Sequence, residues 1–285
     1  MLSRRAFLGG AVGAAGLVGA AVAVPGVREH LFGVPQPAHP VPAGPSGRLV
    51  DASFESAAMG RRVGGGIAYP DAVVEGLPVL LQLHGRNNDH RDAFRRHHLD
   101  AYLSDAVRRG VPPFVVVAPD GGDHSYWHPR ADGTDPLRML VRELLPRLAD
   151  RGLRVDRFAV GGWSMGGYGA LLLAEVLGPG RVAACVPDSP ALFRDDRDYS
   201  GGSFDSSADF TAHDVVAGSA RLTGIPTRVT CGTSDPFIGE VRTLLRRVPA
   251  AERELAPGGH DLAWWQHVAP TQLEFAGRHL AQTST

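Results

Sequence analysis

Three short stretches of this chain carry side chains that together could make a hydroxyl group reactive. The first is Gly162-Trp163-Ser164-Met165-Gly166, a G-x-S-x-G pattern. It joins the apolar run Phe158–Gly161, which reads as a buried strand, to a compact apolar helix predicted over Met165–Leu177 that Gly178 and Pro179 can stop. The second stretch is Cys231-Gly232-Thr233-Ser234-Asp235-Pro236, and the third is Pro257-Gly258-Gly259-His260-Asp261. A serine hydroxyl is a poor nucleophile in neutral water. It needs a base within hydrogen-bond reach, and the base needs an anion that fixes its tautomer. Asp235 and His260 follow Ser164 in the order acid then base, each just past a predicted strand, as this chemistry requires when the serine sits on a strand-to-helix turn. G-x-S-x-G alone is common, Asp235 alone could cap a helix, and His260 alone could be an ordinary loop histidine. The ordered set points to acyl transfer through Ser164, Asp235 and His260. Glu240 and Asp261 are the alternative acids, although Asp261 adjoins His260 and its side chain is expected to turn away.

Acyl chemistry also needs donors for the oxyanion that develops in the transition state. The backbone N–H of Met165, directly after the serine, is one. The other is expected from Leu83-His84-Gly85-Arg86-Asn87-Asn88, where Gly85 lets the loop turn and the Arg86 N–H donates. His84, Tyr126 and Trp127 are the candidate substrate-binding residues, with His84 reading chiefly as a structural histidine at a strand end. Tyr126 and Trp127 belong to the Asp120–His128 segment, whose D-G-G-D lacks the ligand repeat of a calcium loop and reads as a glycine-rich turn.

The elements that must position these residues are legible from periodicity. Leu49–Ala58 and Arg62–Tyr69 read as an antiparallel opening pair. Val79–Leu83, Phe114–Ala118, Phe158–Gly161, Val182–Val186, Arg228–Cys231 and Arg253–Ala256 are six further strands. Helices are predicted over 89–109, 136–148, 165–177, 237–248 and 261–280. In the second of these Asp135 is the N-cap and Pro136 opens the first turn. Strands alternating with helices make an α/β protein with a mostly parallel sheet covered on both faces. Residues 189–220 break the rhythm and read as a polar, irregular, lid-like insertion over the strand ends.

The chain opens with an address. Ser3-Arg4-Arg5-Ala6-Phe7-Leu8 carries a twin-arginine pattern before a weakly apolar stretch ending at Val24, and Ala21-Val22-Ala23 resembles a cleavage site. Residues 1–24 are therefore expected to be a signal peptide read by the twin-arginine translocase, and the protein to be secreted or held in the cell envelope. That stretch is poor material for a bilayer span, so no stable span is expected after processing. Residues 25–47, rich in Pro, Gly and Ala, read as a linker, and 48–285 as one catalytic domain.

Composition narrows the partners. Net charge is −1 and all 29 basic residues are arginine, so no broad positive field suggests nucleic acid. Cys185 and Cys231, the only cysteines, lie in apolar strand-like runs and read by default as buried free thiols, a disulfide between them being the alternative open to an exported protein. No zinc spacing is present, His90, His97 and His98 read as surface residues of a helix, and no metal or cofactor is expected. Trp264 and Trp265 read as packing residues.

Taken together, L-H-G-R-N-N-D from Leu83, G-G-W-S-M-G-G-Y-G-A from Gly161, C-G-T-S-D-P from Cys231 and P-G-G-H-D-L-A-W-W from Pro257 resemble the putative-esterase branch of the α/β-hydrolase superfamily. That branch includes esterase D (S-formylglutathione hydrolase), feruloyl esterase modules and the mycolyltransferases of the antigen 85 complex. E-L-L-P at Glu143–Pro146 is similar to the E-L-P these families carry before the nucleophile strand. The resemblance spans roughly residues 48–280. It implies an α/β-hydrolase fold with an eight-stranded, mostly parallel sheet and helices on both faces. It further implies a serine esterase working through an acyl-enzyme on a small-molecule, lipid or sugar ester. Two alternatives use the same scaffold: an acyltransferase delivering the acyl group to a sugar or lipid hydroxyl, and a non-catalytic envelope binding protein. The antigen 85 proteins use a glutamate as the acid, whereas this chain offers Asp235 in a turn like that of ordinary esterases.

Overall fold

The computed structural model describes residues 33–71, 75–199 and 201–282. The expected signal peptide and the first part of the expected linker lie outside the described residues. Eight strands form one sheet in the order β1-β2-β4-β3-β5-β6-β7-β8. They are β1 Leu49–Ser56, β2 Arg61–Ala68, β3 Pro78–Leu83, β4 Val115–Pro119, β5 Arg154–Trp163, β6 Val182–Asp188, β7 Arg228–Gly232 and β8 Glu252–Ala256. β1 and β2 are antiparallel to each other, and β2 is antiparallel to β4. β3 to β8 are mutually parallel. This is the α/β-hydrolase arrangement. The parallel strands bring their C-terminal ends to one edge, and β5 lies centrally, between β3 and β6.

The strand sequences show why both faces are covered. Successive side chains on a strand point to opposite faces. Val115, Val117, Phe158 and Val160 enter one apolar cluster, while Val116, Ala118 and Ala159 enter the other. Fully burying each larger side chain contributes roughly 1.5–3 kcal/mol. The first cluster is covered by α3 (Pro136–Arg138), a π-helical segment (Met139–Leu144), α4 (Leu145–Ala149), α5 (Met165–Leu177) and α7 (Ile238–Arg247). The second is covered by α1 (Asp92–Arg95), α2 (Leu99–Arg108) and α8 (Leu262–Ala281). The Asp135 side chain caps α3 by accepting from the Arg138 N–H at 2.8 Å.

Four readings need correction. The helix expected over 89–109 is two helices, because His98 adopts a left-handed conformation (φ 52°). The break turns His97 inward between Trp163 and Trp265, with ring centroids 3.9 and 5.5 Å away. His97 and His90 are therefore buried rather than superficial, and burial holds the His97 imidazole down to a pKa of about 3. The helix over 136–148 is interrupted by its π-helical segment next to Pro146, which has no N–H to give the preceding turn. Residues 189–220 are not wholly irregular. Ser206 caps α6 (Ser207–His213) by accepting from the Asp209 N–H, and a 3₁₀ turn spans Ala217–Leu222.

Residues 33–47 contain no helix or strand, but they are fastened to the domain. The Gln36 N–H donates to the Pro257 carbonyl, the Tyr102 hydroxyl to the His39 carbonyl, and the Gly47 N–H to Ser104 Oγ. Cys185 and Cys231 are buried free thiols. Among the described residues no helix is long and apolar enough to cross a membrane.

Candidate active site

Ser164 stands where β5 gives way to α5, at φ 57° and ψ −119°. Only a tightly held turn keeps a non-glycine residue there. Two glycines make the turn possible. A Cβ on Gly166 would lie 1.9 Å from the Leu83 carbonyl oxygen, and one on Gly162 would lie 2.4 Å from Gly166. The Ser164 N–H donates to the Asp188 carbonyl at 3.0 Å, and the Ser164 carbonyl accepts from the Ala191 and Tyr168 N–H groups. The serine backbone is thus fixed while its side chain stays partly open to solvent.

The loops after β7 and β8 interlock in the same way. The Thr233 N–H donates to the Ala256 carbonyl and the Ser234 N–H to the Gly258 carbonyl. Asp235 and His260 are thereby brought together across 25 residues. Asp235 Oδ2 lies 2.8 Å from His260 Nδ1, and His260 Nε2 lies 2.8 Å from Ser164 Oγ. The other Asp235 oxygen accepts from the Phe237 N–H at 2.8 Å, which fixes the carboxylate plane. The Asp235 side chain is fully buried, whereas 22% of the His260 side chain remains exposed. Phe237 and Trp265 both stand edge-on to the imidazole, with centroids 5.2 and 5.3 Å away. With the serine proton facing Nε2, the ring carries its own hydrogen on Nδ1 and donates it to Asp235. The line can draw a proton off Ser164 and stabilise the imidazolium that results. Asp261 caps α8 through the Trp264 N–H, and Glu240 lies in the first turn of α7.

The loop after β3 lies beside the serine and is tied to it. Trp163 Nε1 donates to Asn88 Oδ1 at 3.1 Å, and the Asn88 N–H donates back to the Gly85 carbonyl. The Arg86 side chain extends away, donating from Nε to His124 Nδ1 and from Nη2 to the Gly201 carbonyl. Its backbone N–H and that of Met165 are left without a protein acceptor among the described residues. Met165 opens α5, whose first N–H groups carry the positive end of the helix dipole.

The candidate substrate-binding residues are more deeply placed than expected. His84 is buried under the loop, donating from Nδ1 to the Gly85 carbonyl while Nε2 accepts from the Gly121 N–H. Trp127 is fully buried in a slot that Gly121 and Gly169 leave open; a Cβ on either would lie about 2.5 Å from its ring. Neither is a pocket wall. Tyr126 packs against Tyr168, Phe193 and Phe204, so it backs the lid rather than facing solvent.

Sequence reasoning missed Asp188 at the end of β6. Its Oδ1 accepts from the Thr230 hydroxyl at 2.7 Å and from Trp264 Nε1 at 3.1 Å. Burial pushes this carboxyl up to a pKa of about 8, with Asp235 and Glu254 adding to the rise. The neutral form is thereby favoured near pH 7, which limits the negative charge beside Asp235. Between about pH 4 and 8 the folded protein holds a proton here that the unfolded chain has released. This contribution therefore weakens stability as pH rises through that window. Asp188→Asn keeps the acceptor oxygen and removes the titration. Its unfolding free energy, measured in urea at several pH values, is expected to decline less between pH 5 and 8 than that of the wild type, by up to about 1 kcal/mol per pH unit. Identical slopes would contradict a buried neutral Asp188.

The family model described as "Putative esterase" matches residues 56–274. The chain belongs to that family. This esterase is accordingly a carboxylic ester hydrolase. Its fold recurs in a ferulic acid esterase (TM-score 0.70, 19% identity, covering 81% of this chain and 97% of that one). It recurs in the Staphylococcus aureus fluorophosphonate-binding serine hydrolase FphF (TM-score 0.69, 20% identity, covering 82% and 99%). A third similar structure is the S-formylglutathione hydrolase of Agrobacterium tumefaciens (TM-score 0.70, 16% identity, covering 82% and 96%). No curated protein sequence matches the esterase.

Proposed function

We propose that this protein is an exported serine esterase working through Ser164, His260 and Asp235. The observation that carries the reading is the unbroken pair of 2.8 Å contacts from Asp235 through His260 to Ser164. In the proposed cycle Ser164 Oγ attacks the ester carbonyl while His260 Nε2 takes its proton. The backbone N–H groups of Met165 and Arg86 hold the oxyanion. The imidazolium then protonates the departing alcohol, leaving an acyl group on Ser164. Water, deprotonated by the same imidazole, releases the acid. The exposed part of His260 leaves room for the acceptor to approach the imidazole. Export through the twin-arginine translocase rests on Arg4 and Arg5 before the apolar stretch, and it makes an extracytoplasmic ester the natural substrate.

The test is a series of p-nitrophenyl esters from acetate to palmitate, with and without trehalose. Turnover is expected to be highest with short to medium acyl groups and to release free acid. Capture of most of the acyl group by the sugar would make the protein an acyltransferase, and no turnover of any ester would refute the reading.

A further inference from the structure

We propose that His128, Asp209 and His213 form a divalent-metal site, of the type zinc occupies, which fastens the lid to the loop after β4. Asp209 and His213 are four residues apart on α6 and so share one face of it. His128 reaches the same point from the loop after β4. His213 Nδ1 lies 3.0 Å from Asp209 Oδ1, and His128 Nδ1 lies 3.6 Å from the same oxygen. The three candidate ligand atoms all lie within 4.8 Å of one another. A tetrahedral ion with bonds of about 2.0–2.1 Å spaces its ligands roughly 3.3 Å apart, close to the 3.0 and 3.6 Å from the two imidazoles to Asp209 Oδ1. Two imidazoles and one carboxylate make a donor set suited to zinc, leaving a fourth position for water.

The second observation is the situation of His128. The ring is fully buried. Its Nδ1 lies 2.8 Å from the Pro129 carbonyl oxygen, and its Nε2 lies 3.1 Å from that of Ser203. A neutral imidazole has one N–H, so it can donate to only one of these oxygens, and the other then faces a lone pair. His213 stacks on the same ring with centroids 4.5 Å apart. A cation bound at Nδ1 fixes the one hydrogen of the ring on Nε2. Nε2–H then donates to the Ser203 carbonyl, the kind of partner a metal-bound histidine gives its second nitrogen. The Pro129 carbonyl oxygen is too close to Nδ1 for an ion on the line between them, so the ion would sit off that line, toward Asp209. His213 Nδ1 also lies 2.9 Å from the Asp209 carbonyl oxygen, so that oxygen would border the ion as well.

The site is not part of the Ser164 line, and its role is structural. Phe204, on the lid, stacks on His128 (centroids 5.0 Å, planes 8° apart) and packs against Tyr126 and Tyr168. The Tyr168 hydroxyl donates to the His213 carbonyl. An ion here would therefore hold the lid against the helix that begins at Ser164.

The experiment is calorimetric titration of zinc chloride into the untagged full chain after chelator treatment and dialysis. One equivalent is expected to bind with a Kd at or below about 1 µM, and the melting temperature to rise on addition. His213 is partly exposed, so His213→Ala is expected to fold, and Asp209→Asn preserves side-chain shape. Each is expected to weaken zinc binding by at least about tenfold and to remove the thermal shift. Magnesium is expected to bind neither form. Absence of a one-equivalent zinc site, or variants that bind zinc as the wild type does, would overturn the proposal. Because the readout is binding and melting, failure of the esterase reading leaves this result unaffected.

Discussion

Replacing Ser164 with alanine is expected to lower kcat/KM for an activated ester by about 10⁴–10⁶-fold, equivalent to roughly 5–8 kcal/mol of transition-state stabilisation. The size follows from the arrangement. The His260 base and the two backbone N–H groups remain in the variant, but no atom is left for the acyl group to join. The residual rate belongs to polarisation of the carbonyl and attack by solvent. Ser164 is held by its backbone, through the Asp188 carbonyl and the Ala191 and Tyr168 N–H groups, so the variant keeps its fold. The melting temperature is expected to move by no more than a few degrees. Steady-state kinetics on p-nitrophenyl acetate alongside a thermal melt separate lost chemistry from lost structure. Retention of more than about one hundredth of the activity would remove Ser164 from the mechanism.

Asp235→Asn is the second large effect, a fall of about 10⁴-fold in kcat at neutral pH. The substitution barely changes shape, so its cost is electrostatic and tautomeric. The Phe237 N–H needs an acceptor, and only the amide oxygen can serve. The amide NH₂ is then forced toward His260 Nδ1, where a carboxylate oxygen stood at 2.8 Å. Two donors cannot face each other, so the ring moves its hydrogen to Nε2, the nitrogen that must accept from Ser164. Activity is expected to fall chiefly in kcat, with KM within a few-fold. Kinetics on the purified variant check this, and a loss confined to KM would show that Asp235 positions substrate rather than the imidazole.

Ser164, His260 and Asp235 were legible in the sequence because each sits where local chemistry narrows the choices. The turn at Ser164 needs glycine on both sides, and Gly162 and Gly166 supply it. Asp235 follows an apolar run that is buried as a strand, and His260 follows a short strand at the edge of the sheet, before a glycine pair. Asp188 was not legible. Its partners Thr230 and Trp264 are 42 and 76 residues away, and nothing adjacent marks it as a buried neutral acid. Trp127 was misplaced for a related reason. An aromatic residue in a polar loop reads as exposed, and the slot that takes its ring exists only where Gly121 and Gly169, distant in the chain, meet. His97 shows the same limit, since its aromatic partners lie on β5 and α8. In the lid, the charge-rich run from Arg194 to Asp198 hid the aromatic cluster of Phe193, Tyr199, Phe204 and Phe210 that packs beneath it.

The central claim is that the Ser164 hydroxyl, activated by His260, forms a covalent bond to an electrophile. Mass spectrometry after treatment with a fluorophosphonate reads that bond directly. The account predicts stoichiometric labelling confined to the peptide Phe158–Arg181, at Ser164, with the rate falling at least about 10³-fold in His260→Ala. A folded protein that takes up no label, or carries it on another residue, would contradict it.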